Sequence, residues 1–66
     1  MIDDPDIFRA AKLMIDQHGE EASSRAAWRV NDLWEAGDSY GAAIWRQIVT
    51  AIQELRRSRR EGEALN

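Results

Sequence analysis

His18, the one histidine of the chain, stands beside Glu20 and Glu21. An imidazole with two carboxylates is a donor set that can hold a divalent metal. No second His joins it, and the chain has no Cys, so nothing completes a four-ligand shell. A His in the last turn of a helix has a simpler use, because its charge complements the negative end of the helix dipole. No metal and no cofactor is therefore expected. The lack of Cys also removes thiol nucleophiles, disulfides and iron–sulfur ligation. No paired carboxylates share an apolar face, and 66 residues are few. A substrate pocket on the order of several hundred Å³ needs more chain than this to enclose it. The sequence reads as a non-enzyme.

Arg56, Arg57, Arg59 and Arg60 are the candidate contacts for a phosphate or a nucleic acid. They also fall at the end of the last helical segment, where positive charge opposes the helix dipole favourably. Glu54 and Glu61 can pair with them across helical turns. Charge is unevenly placed along the chain. Residues 1–38 carry nine acids and four bases, a net of −5, and residues 39–66 carry three acids and five bases, a net of +2. The overall charge of −3 argues against broad coating of nucleic acid. A helix–turn–helix reading would leave Arg46, Gln47, Thr50, Gln53 and Arg57 for DNA, a weakly basic face beside an acidic helix. Nucleic acid is the alternative partner rather than the expected one. Asp38-Ser39-Tyr40-Gly41 lacks the several glycines and the Lys of a phosphate loop, and its Asp repels phosphate. It reads as a tight turn in which Gly41 lets two helices touch.

Trp28 and Leu13 break the hydrophobic pattern. At 100° per residue, Trp28 falls about 160° from Val30, and Leu13 about 160° from Ala11. The neighbours of Trp28 on its face are Ser24, Arg25, Asp32 and Glu35. One reading makes Trp28 and Leu13 an interface, since Trp is enriched at such sites and a symmetric homodimer is the default assembly. The other lays Trp28 along a corner of the domain with its ring on Arg25.

The elements that place these residues are all α-helical. Nothing alternates with period two, and the internal breaks are at Gly19 and Gly37. The first helix is expected over 5–18. Asp3 or Asp4 caps it, Pro5 opens it, and Ile7, Phe8, Ala11, Met14, Ile15 and His18 form its stripe. The second is expected over 20–36, with Ala22, Ser23, Ala26, Ala27, Val30, Leu33 and Trp34 inward. The third is expected over 38–61, capped by Asp38, with Gly41, Ile44, Trp45, Ile48, Ala51, Ile52 and Leu55 inward and Val49 widening the stripe. Short connections force neighbours to run antiparallel. The expectation is a single domain, an antiparallel three-helix bundle or hairpin. Its long third helix ends in the basic stretch 56–60, followed by a frayed tail at 62–66. The longest apolar stretch, Ala42 to Trp45, is too short to span a bilayer, and the acidic start is unlike a secretory signal. A cytoplasmic protein is expected, with no membrane contact.

From His18 to Leu55 the chain resembles a family of short bacterial helical proteins with a domain of unknown function. The residues that carry the resemblance are His18-Gly19, Ala22, Ala26, Arg29, Leu33, Gly37-Asp38, Gly41, Trp45, Ile48 and Leu55. Gly37-Asp38-x-x-Gly41-x-x-x-Trp45 is its distinctive part. The resemblance implies small helical proteins without an assigned activity, and it supplies no catalytic residue. The function expected is a non-enzymatic protein–protein interaction module that forms a homodimer, with an unknown protein as a further partner.

Overall fold

The structure is a computed structural model that describes residues 4–65, with side chains described over 4–57. Every described element is helical. α1 spans Pro5–His18, a 3-10 turn spans Gly19–Glu21, α2 spans Ala22–Glu35 and α3 spans Ser39–Leu65. The helix count differs from the expectation. No loop residue separates Pro5 from Glu35, so the chain forms two helical runs, the first bent at its 3-10 turn. α2 is shorter at both ends than 20–36, and α3 continues to Leu65, through most of the stretch expected to fray. Gly19 turns the chain with φ 57° and ψ −124°, a conformation that a side chain makes costly. The residues after it coil into the tighter 3-10 form, which is common at helix ends.

The direction of each segment follows from its neighbours. Ile7 shares a groove with Ala43, Ile44 and Gln47, and Ile15 shares one with Leu55, so α1 runs parallel to α3. Arg56 reaches the Glu20 carbonyl, while Val30 and Trp34 sit by Arg46, so α2 runs antiparallel to α3. At about 1.5 Å per residue, α1 and α2 are each ~21 Å long and α3 is ~40 Å. The molecule measures 45 × 23 × 14 Å, and its length is that of α3. Backbone beyond residue 56 extends past the other two segments.

The core is built mostly of alanine. Ala11, Ala22, Ala26, Ala42 and Ala51 are buried with Ile7, Ile48 and Ile52. Phe8, Met14, Ile15, Ile44, Trp45, Val49 and Leu55 pack around that cluster and stay partly exposed. Two inward expectations are corrected: Trp34 is 63 % exposed and Ala27 is exposed. Both lie at the margin of the α2 stripe, beside the open groove that Val30, Asn31 and Arg46 also line, rather than over the buried alanines.

Side chains and backbone satisfy the helix ends. Asp4 caps α1 by accepting from the Asp6 amide at 2.9 Å, with Pro5 in the first turn; the alternative cap, Asp3, lies outside the described residues. α2 ends in a Schellman motif. The Gly37 amide donates to the Trp34 carbonyl, the Asp38 amide donates to the Leu33 carbonyl, and Gly37 takes φ 82°. Asp38 then caps α3 by accepting from the Gly41 amide at 2.8 Å. The reason for Gly41 differs from the expected helix–helix contact. A Cβ there would come within 2.5 Å of the Asp38 carboxylate, so this glycine makes room for the cap.

A double-mutant cycle checks that account. Gly41→Ala gains up to about 1 kcal/mol in helix propensity and loses about 1 kcal/mol of capping, leaving stability nearly unchanged. In an Asp38→Ala background the cap is already gone, and the same change stabilises by about 1 kcal/mol. Urea unfolding followed by circular dichroism reads the difference.

Candidate functional site

Among the described residues, four large apolar side chains stand in solvent: Trp28 is 74 % exposed, Trp34 63 %, Tyr40 78 % and Leu13 55 %. Trp28 and Leu13 were singled out in the sequence. Trp34 and Tyr40 were not, because Trp34 lies at the edge of an inward stripe and Tyr40 sits in the first turn of α3. Leu13 and Trp28 lie opposite the buried residues of α1 and α2 respectively, on outer faces of different helices. Trp34 flanks a shallow groove between α2 and α3 with Ala27, Val30, Asn31 and Arg46. Tyr40 borders a second groove with Asp4, Ile7 and Ile44.

The surroundings of Trp28 are polar. Arg25 is directed along its own helix to Glu21 at 3.7 Å. The cation–ring contact that the structure contains is elsewhere, between Arg29 and Trp45, at 5.9 Å from the ring centre. The corner arrangement, with the indole lying on Arg25, is therefore not what covers Trp28. Ser24, Asn31, Asp32 and Glu35 are exposed around it.

The Arg cluster divides. Arg56 is half-buried beside Lys12, Ile15 and Leu55 and donates to the Glu20 carbonyl at 3.2 Å. It ties α3 to the turn between α1 and α2, and so it is not a free contact for an anion. Arg57 is exposed and already engaged with another group. The side chains of Arg59 and Arg60 lie outside the described residues. Arg46, Gln47, Thr50 and Gln53 are exposed, and the Thr50 hydroxyl donates back to the Arg46 carbonyl at 3.2 Å.

His18 is half-buried in the last turn of α1. Among the described residues, no group of three His, Cys, Asp or Glu side chains is placed to hold a metal. No polar or charged side chain among them is buried. No helix there is long and apolar enough to cross a membrane.

Comparison with known proteins adds no assignment. No family model matches the chain. No curated protein and no solved structure matches it either.

Arg56→Ala should lower the unfolding free energy by about 1 kcal/mol, the net value of one intramolecular hydrogen bond. Chemical denaturation measures it, and an unchanged midpoint would show that the Glu20 contact contributes nothing.

Proposed function

We propose that this chain is a small, non-enzymatic interaction module that associates with a second copy of itself. The observation that carries the reading is the exposure of Trp28, Trp34, Tyr40 and Leu13 on a chain whose buried apolar residues are mostly alanine. Burying one exposed indole contributes on the order of 2–3 kcal/mol. A chain of this size has a total stability of only about 3–10 kcal/mol. Covering even one of these side chains is therefore a large gain relative to what holds the domain together.

A second copy suits the charge pattern. α2 carries the base Arg25 and the acid Asp32, both exposed, so two copies can oppose acid to base through this helix. In this reading the three helical segments act as one bundle that presents α2 to its partner. Gly37-Asp38-x-x-Gly41 is a structural signature, shared with the short bacterial helical proteins that the chain resembles. The module works in the cytoplasm, as an adaptor or a small regulatory subunit.

Sedimentation equilibrium on the full chain tests this. The weight-average mass should climb above the 7.6 kDa of one chain. The climb should fall between about 10 µM and about 1 mM, the range of a weak pair. A mass fixed at that of one chain throughout would end the proposal.

A further inference from the structure

We infer that the pair forms by antiparallel packing of α2 on α2 of the second copy, with the two-fold axis passing beside Trp28. This inference rests on the self-association proposed above and adds its geometry.

The argument starts from positions on the helix. Arg25 and Asp32 lie about 60° and 40° to one side of Trp28, and Ser24 and Asn31 lie about 40° and 60° to the other. Arg25 is about 4.5 Å below Trp28 along the axis, and Asp32 is about 6 Å above it. A two-fold axis perpendicular to the helix keeps each edge of this face on its own side and inverts direction along the helix. Arg25 therefore meets the partner's Asp32 on one edge, within about 1.5 Å of the same level. Ser24 meets the partner's Asn31 on the other edge. Trp28 meets the partner's Trp28 in the centre.

Each contact joins groups that suit one another. The indoles cover one another's exposed faces, which are 74 % open in the single chain. Arg25 is 51 % exposed at its side chain and is held only loosely by Glu21, so it can share itself with a second carboxylate. Asp32 is exposed, and among the described residues its side chain has no ion pair. Ser24 and Asn31 are exposed and can exchange a hydrogen bond. Because the arrangement is two-fold, every one of these contacts except the central one occurs twice.

The ends of α2 limit the contact. Glu21 and the partner's Glu35 fall at one level, and like charges there oppose a long parallel-sided seam. The helices must cross, as ridges packing into grooves do at about 50°, and the interface stays short. An interface confined to about one turn either side of Trp28 belongs to the small, transient class.

Charge exchange in the full chain tests the geometry. Arg25→Asp sets two acids at each of the two Arg25–Asp32 contacts, and Asp32→Arg sets two bases there. Each variant alone should dimerise on the order of tenfold more weakly than the parent chain, read by sedimentation equilibrium with helicity checked by circular dichroism. Mixing the two variants in equal amounts re-forms an opposite pair at both contacts and should restore the parent's affinity as a heterodimer. Trp28→Ala should weaken the pair by at least about fivefold. If the parent chain pairs but the mixture fails to recover affinity, the geometry is wrong while self-association stands. If the parent chain never pairs, both are wrong.

Discussion

A core built mostly of methyl groups controls the rest of this structure. Ala11 on α1, Ala22 and Ala26 on α2, and Ala42 and Ala51 on α3 occupy the places where backbones face one another. Methyl groups in those places draw the helices together, and close packing then excludes anything bulky. Ile52 is the largest side chain that is wholly enclosed. A small core removes little apolar surface from water, at roughly 25 cal/mol per Å². Trp34 stands outside that core beside an open groove, and Trp45 is only half covered, under the guanidinium of Arg29.

With so little burial, backbone groups at the helix ends must be satisfied locally. The second turn does this in a few residues. Gly37 takes the positive φ that lets two amides return to the α2 carbonyls, and Asp38 at once begins α3 by capping Gly41. At the other end of the molecule Arg56 closes the reversal by donating to Glu20. These contacts hold the three segments in register where side-chain packing alone is weak. They also engage Arg56, one of the four arginines named as candidate contacts for an anionic partner.

Much of the fold was legible in the sequence. Asp4, Pro5 and Gly19 marked α1 because capping and chain reversal depend on residue type at single positions. The start of α2 was not legible, since a 3-10 turn of Gly19-Glu20-Glu21 has the composition of an ordinary helix N-terminus. Trp34 was placed inward because its angle, about 80° from Ala26, lies on the margin of the stripe. Periodicity does not report how near the next helix comes. Ala42 was missed for a related reason: an alanine carries little hydrophobic signal, yet it is buried. Of the candidate surface, Trp28 and Leu13 were visible as breaks in pattern. Their exposure, 55 % for Leu13 and 74 % for Trp28, needed the packed structure.

The central physical claim is that folding leaves Trp28 in water and a second copy covers it. Association of this kind couples folding to concentration by mass action. The most direct measurement is the thermal unfolding midpoint across about a hundredfold range of chain concentration. This account predicts a midpoint that rises with concentration in the parent chain and stays fixed in Trp28→Ala. A parent midpoint that does not move with concentration would contradict it.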